Sequence, residues 1–99
     1  MIYQIQQTAI FDKWFSKLKN KPAKNQILKR IKNIQQFGYF GDFKSLKNGV
    51  FELRIFTNKG YRVYYTKRNS SIILLLGGGT KDTQSKDIAI VKKIIKHLE

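Results

Sequence analysis

Residues 51 to 65 read Phe-Glu-Leu-Arg-Ile-Phe-Thr-Asn-Lys-Gly-Tyr-Arg-Val-Tyr-Tyr, and the alternation along them leaves little choice of local structure. Phe51, Leu53 and Ile55 alternate with Glu52, Arg54 and Phe56, while Tyr61, Val63 and Tyr65 alternate with Arg62, Tyr64 and Thr66. Period two marks strands with one buried face, and two such runs joined by a short Asn/Gly segment make a β-hairpin. Loop length then sets the register. A two-residue loop at Asn58-Lys59 would pair Ile55 with Arg62, burying a guanidinium or exposing an isoleucine. A three-residue loop over Asn58, Lys59 and Gly60, with the glycine left-handed, pairs Arg54 with Tyr64 and Phe56 with Arg62. Asparagine and glycine suit such a loop, so the second register is the expected one. It gathers Glu52, Arg54, Arg62 and Tyr64 on one face.

That polar face belongs to a strongly basic chain. Twenty Lys and Arg stand against six Asp and Glu, a formal net charge of +14, and the eight cationic residues between Lys13 and Gly41 meet no acidic residue. Such an excess points to a polyanion or an acidic protein as partner, because basic surfaces bind phosphates through counterion release and speed encounter. Composition alone leaves RNA, DNA, a membrane surface and an acidic protein all open. Ninety-nine residues predict one domain, 1–99. The absence of cysteine excludes disulfides and thiolate metal sites. The N-terminal residues lack the order of a signal peptide, and the longest apolar run, Ile72 to Leu76, is far short of the roughly 20 residues that span a bilayer. A cytoplasmic protein with no membrane association is expected.

Along the chain, Ile2 to Gln6 predicts a first strand. Thr8 is placed to cap a helix whose Phe11, Trp14, Phe15 and Leu18 recur at helical spacing, as a core stripe rather than a base-stacking platform. Asn20-Lys21-Pro22 breaks and restarts the helix, and Ala23, Ile27, Ile31 and Ile34 line a second one that Gly38 ends. Lys24, Lys29, Arg30 and Lys32 are expected on its surface. Phe43 to Leu46 predicts a short strand, then comes the hairpin, then a strand over Ile72 to Leu76, apolar throughout as if covered on both faces. Gly77-Gly78-Gly79 is expected to end it, permitting a sharp exit or close backbone approach to a ligand. Ile88, Val91, Ile95 and Leu98 mark a C-terminal helix. The order β-α-α-β-β-β-β-α predicts an α+β fold: a small, antiparallel-rich twisted sheet with an N-terminal helical hairpin packed on one face and a C-terminal helix.

Much chemistry is excluded. Gly77 to Lys81 lacks the spacing of a phosphate-binding loop. His97 is the sole histidine, so a two-histidine ribonuclease centre is absent and a serine triad unsupported. No acid or histidine cluster suggests a metal, and no cofactor is expected. What remains is Arg54, Arg62, Tyr64 and Lys81 with Glu52 at the edge. Attack of a ribose 2′-hydroxyl on its own phosphate needs a base, cations for the phosphorane and an acid for the leaving 5′-oxygen. Arginine suits the middle role through its planar fork, and Glu52 is a reasonable base. A structural Glu52–Arg54–Arg62 ion-pair network explains the same residues equally well.

Three blocks, Glu52-Leu53-Arg54-Ile55, Gly60-Tyr61-Arg62-Val63-Tyr64-Tyr65, and Leu75 through Gln84 with Asp87-Ile88, occur in order, with Phe11 to Phe15 and Leu46 to Val50 upstream. Together they resemble the RelE/ParE superfamily of toxins from type II toxin–antitoxin modules, nearest to the HigB-like, phage-associated addiction-module killer branch. The resemblance implies a small sheet with helices across one face. It implies a cytoplasmic toxin, commonly a metal-independent endoribonuclease that cuts mRNA in the ribosomal A site and is held inactive by an antitoxin. It assigns Arg62 to phosphate or transition-state contact, sets Arg54 and Glu52 on the active-site strand, and puts Lys81 where relatives carry further basic groups. Several ribosome-dependent relatives carry a tyrosine or histidine near the C-terminus for proton transfer. Thr83 to Ile88 offers neither, which leaves Tyr64, Lys81 or the ribosome as the source of the acid. The expected partners are mRNA on the ribosome and an antitoxin, a helix-turn-helix protein from the adjacent open reading frame, with operator DNA reached only through their complex. A ParE-like gyrase inhibitor and a non-catalytic basic nucleic-acid or partner-binding module are the alternative readings.

Overall fold

In the computed structural model, which describes residues 2–56 and 59–98, the chain runs β1 (Gln4–Gln7), α1 (Ala9–Lys17), α2 (Lys21–Phe37), β2 (Phe43–Ser45), β3 (Phe51–Ile55), β4 (Tyr61–Arg68), β5 (Ile72–Thr80), a 3-10 turn (Lys81–Thr83) and α3 (Gln84–Leu98). The sheet order is β1-β5-β4-β3-β2. β1 pairs with β5 in parallel and the other neighbours are antiparallel. The element order and fold class match those expected. Among the described residues no helix is long and apolar enough to cross a membrane.

Local chemistry sets the helix ends. The Thr8 hydroxyl accepts from the Phe11 amide at 3.0 Å and donates to the Leu76 carbonyl at 2.9 Å, so the cap that starts α1 also ties it to β5. Asn20 accepts from the Ala23 amide at 3.1 Å, with Pro22 in the first turn of α2. Gly38, at φ +66°, closes α2 in the left-handed conformation.

The sheet is covered on both faces. Phe11, Ala23, Ile27 and Ile34 from α1 and α2 pack on Leu53, Ile55, Tyr61, Val63, Tyr65, Ile73 and Leu75. On the opposite face Val91, with Ile88, Ile94 and Ile95, packs on Val50, Tyr64, Leu74 and Leu76. The two helix layers are therefore separated by the sheet, where the resemblance led to helices across one face.

Two features of the sheet differ from expectation. The hairpin pairs Arg54 with Arg62, Ile55 with Tyr61 and Glu52 with Tyr64, a slip of two residues from the predicted Arg54–Tyr64 and Phe56–Arg62 pairing. A two-residue slip keeps every side chain on its own face, so alternation could not choose between the registers. The observed one sets Ile55 against Tyr61, both in the core, and leaves Phe56 74% exposed outside the strand. Gly60 is left-handed at φ +62°, as expected, and Asn58 lies outside the described residues.

The second difference is that β5 runs through Gly77, Gly78 and Gly79 to Thr80 instead of ending at Leu76. The reason is clearance on both faces. A Cβ on residue 78 would stand 2.3 Å from the Trp14 ring of α1, and one on residue 79 would stand 1.8 Å from Asp87 Oδ2 of α3. The glycines let both helix layers close on the strand. A register shift opposite Tyr64/Tyr65 accommodates one extra residue of β5.

Candidate functional site

The hairpin strands place Glu52, Arg54, Arg62 and Tyr64 on the α3 side of the sheet, at the end where α3 begins. Glu52 is 0% exposed, and its Oε1 lies 2.8 Å from Arg62 Nε and 3.4 Å from Arg54 Nε. Like charges directly opposite on a sheet repel, and the Arg54–Arg62 pair persists because the carboxylate of Glu52 sits between them. Arg54 forms a hydrogen bond to Glu52, whereas the Arg62 Nε–H is not directed at an acceptor, so that contact is held by charge alone. The outer end of Arg62 turns to the hairpin tip, where Nη1 donates to the Gly60 and Tyr61 carbonyls at 3.1 and 3.3 Å.

A fifth residue, which the sequence did not single out for the site, completes the arrangement. The Gln84 side-chain amide, in the first turn of α3, donates to both Glu52 oxygens at 3.1 and 3.3 Å. No local pattern could reveal a partner 32 positions away. Asp87, one turn further on, accepts from the Thr83 hydroxyl at 2.5 Å.

Tyr64 is 0% exposed and its hydroxyl has no hydrogen-bond partner among the described residues. Burial pushes the phenol pKa well above its ordinary value, the charges of Glu52 and Asp87 push it further, and Arg62 opposes them. Tyr64 therefore stays protonated across the physiological range. Lys81 is exposed and flanks the site from the end of β5. A Cβ built on Gly60 would lie 3.4 Å from Lys81 Cβ and 3.5 Å from Arg62 Nη1, so both basic residues border that glycine. All five residues expected at the site are thus in one region of the molecule, with Arg54 and Lys81 on the solvent side of buried Glu52, Arg62 and Tyr64.

Arg30 was expected on a basic outer face and is instead half-buried. Its guanidinium donates to the carbonyls of Arg54, Phe40 and Asp42 at 2.6, 2.7 and 2.8 Å. Burial lowers its pKa from the ordinary value, with Asp42 opposing. Gly41, at φ +68°, leaves the room this clamp needs, since a Cβ there would stand 3.2 Å from Arg30 Nε. Arg30 thereby fixes the backbone that carries Arg54 and supports the site from the far side of the sheet.

A cavity of about 430 Å³ lies elsewhere, lined by Asn48, Lys92, Ile95 and Lys96. The basic cluster is a surface, suited to an extended polyanion more than to an enclosed small molecule. Among the described residues no group of three or more histidines or acids converges as metal ligands would.

Comparison with known proteins follows the same lines. Residues 13–99 match the family described as phage derived protein Gp49-like (DUF891). An uncharacterized protein of Haemophilus influenzae is 51% identical over 98 residues, covering 99% of this chain and 98% of the relative. The E. coli toxin RelE, solved in the free state as a variant with two arginines changed to alanine, superposes with a TM-score of 0.74 at 17% identity, over 95% of this chain and 99% of that one. A chain of the intact E. coli RelBE toxin–antitoxin complex gives a TM-score of 0.66 at 15% identity, over 79% and 95%.

Proposed function

Because the chain belongs to the Gp49-like family of phage-derived proteins and carries the RelE fold, we propose that it is the toxin of a toxin–antitoxin module, an endoribonuclease that cuts mRNA on the ribosome. The observation that carries this reading is the pair of arginines set directly opposite each other on β3 and β4, flanked by exposed Lys81, in a chain of net charge +14. Two forked donors side by side match the equatorial oxygens of a phosphorane. In the proposed reaction the ribose 2′-hydroxyl gives its proton to solvent water as its oxygen attacks phosphorus, a P–O2′ bond forms and the P–O5′ bond breaks. The products are a 2′,3′-cyclic phosphate and a 5′-hydroxyl.

Arg54 and Arg62 stabilise the phosphorane, and Lys81, which faces solvent, delivers a proton to the leaving oxygen. Glu52 is sealed from solvent and occupied by three side chains. Its proposed part is to hold the guanidiniums in place rather than to take the 2′-hydroxyl proton. The proposed partner is an antitoxin that covers excess positive charge, a helix-turn-helix protein encoded beside this one. The RelBE complex supports an antitoxin partner.

The test is primer-extension mapping of a defined mRNA incubated with purified protein, with and without programmed ribosomes. Codon-registered cuts that require ribosomes and vanish in a folded Arg62→Ala variant are the expected result. Normal cutting by that variant would remove Arg62 from the site. No cleavage by folded wild-type protein, with DNA breaks on expression in cells, would move the assignment to gyrase inhibition.

A further inference from the structure

Two features of the cluster are incomplete in a complementary way. Among the described residues, Glu52 Oε1 faces Arg54, Arg62 and Gln84, while Oε2 receives only the second, 3.3 Å contact from Gln84. A carboxylate oxygen accepts about two hydrogen bonds, so Oε2 is under-used. Directly opposite in register, on the same face, stands Tyr64. Its fully buried hydroxyl has no partner among the described residues. Opposite residues in an antiparallel pair hold their Cβ atoms about 4.5–5.5 Å apart. A buried donor without a partner among the described residues and an under-used buried acceptor therefore stand on directly opposite residues of one sheet face.

Both arginines face Glu52 through Nε, which leaves outer nitrogens for a second anion. A phosphate on those nitrogens competes with Glu52 for the two charges, and a buried carboxylate whose cations move off is strongly unfavourable. Arg54 is the readier to leave, since it stands 3.4 Å from the carboxylate against 2.8 Å for Arg62 and its side chain is the more exposed. We infer that Tyr64 is a standby donor: when a phosphate takes the two guanidiniums, the Tyr64 hydroxyl swings its hydrogen to Glu52 and keeps the buried carboxylate compensated. This rests on the phosphate-binding reading of the site and assigns Tyr64 a positioning role in place of proton transfer to RNA. The groups facing the hydroxyl are Glu52 on β3, Arg62 on β4 and Asp87 on α3. The two carboxylates favour retention of its proton and Arg62 opposes them, so the hydroxyl remains a donor.

The test uses a 2′-O-methylated single-stranded RNA, which presents phosphates but cannot undergo 2′-hydroxyl attack. Tyr64→Phe should leave the thermal midpoint of the free protein unchanged or higher, because it deletes an unpartnered hydroxyl. It should weaken RNA binding about tenfold to a hundredfold, as expected for one hydrogen bond to a charged group. In protein labelled with ¹³C at the tyrosine Cζ carbons, the Tyr64 resonance should shift on RNA addition, and should not do so in Arg62→Ala. A structural tyrosine would instead lower stability and leave the Cζ resonance in place, which overturns the inference. Unchanged affinity in Tyr64→Phe, with Arg62→Ala still impaired, overturns it while sparing the proposed function. Wild-type protein that binds RNA no better than Arg62→Ala overturns both.

Discussion

Replacing Gly78 with alanine probes why a run of glycines lies inside a strand. The new Cβ would fall 2.3, 2.4 and 2.6 Å from three carbons of the Trp14 six-membered ring, where carbon atoms rest at about 3.5–4.0 Å. Ring and strand must separate by roughly 1 Å or more. Neither yields readily. β5 is hydrogen-bonded to β1 and β4 on its two sides, and Trp14 lies beside Phe11 and Phe15 at centroid distances of 5.9 and 6.5 Å. Overpacking of this kind costs about 1–3 kcal/mol. Alanine recovers roughly 0.5–1 kcal/mol by restricting the unfolded chain. With a clash this deep at the upper end of that range, the net loss of about 2 kcal/mol should lower the thermal midpoint by roughly 8–16 °C for a protein of this size.

Trp14 is the sole tryptophan, so its fluorescence reports the same contact and should shift towards that of a hydrated indole in Gly78→Ala. Combined with Trp14→Leu, the glycine replacement should cost less than in the wild-type background, because the clash partner is gone. Wild-type stability with unchanged fluorescence in Gly78→Ala, or strictly additive losses in the double variant, would refute the clearance argument. The consequence reaches the site, because β5 delivers Lys81 and the start of α3 to the arginine cluster.

Other perturbations follow from the same geometry. Glu52→Gln removes the charge between two guanidiniums, one of them on a residue only 8% exposed, and should destabilise by about 2–4 kcal/mol in urea unfolding. The figure is held down because the Arg54 side chain is 34% exposed and water screens its share. Arg30→Lys cannot span three carbonyls with a compact ammonium and should cost about 1–3 kcal/mol, seen as a lower thermal midpoint; a variant as stable as wild type would reduce the clamp to decoration. Tyr64 and Tyr65 both have phenol pKa values raised chiefly by burial. A folded-state pKa above the unfolded one gives stability that is full below the unfolded value, near 10, and is lost as pH rises through the folded one. Absorbance titration near 295 nm should therefore show Tyr64 and Tyr65 ionising only as the protein unfolds above that pH, and ionisation of every tyrosine in folded protein near pH 10 would contradict the burial.

What the sequence determined by itself was whatever rests on contacts within a few residues. Thr8, Asn20 and Gly38 set helix ends because caps bind amides and carbonyls three or four positions away. Alternation in β3 and β4 sorted side chains between faces, so Glu52, Arg54, Arg62 and Tyr64 could be grouped before any register was known. The ordered blocks that resemble RelE/ParE toxins added the fold. Only the tertiary structure decided the rest, because the deciding partner lies far along the chain. The hairpin register was one such matter, since a two-residue slip leaves the faces unchanged and the packing of Ile55 with Tyr61 had to settle it. Glycine within β5 reads locally as a strand ending, yet Trp14 and Asp87 need the space its missing side chains leave on either face. Arg30 looks like surface charge until Phe40, Asp42 and Arg54 turn their carbonyls to it. Gln84 is an unremarked polar residue in the sequence until α3 settles over the sheet and brings it to Glu52. Local rules fix which face a residue occupies, and only packing fixes what it meets there.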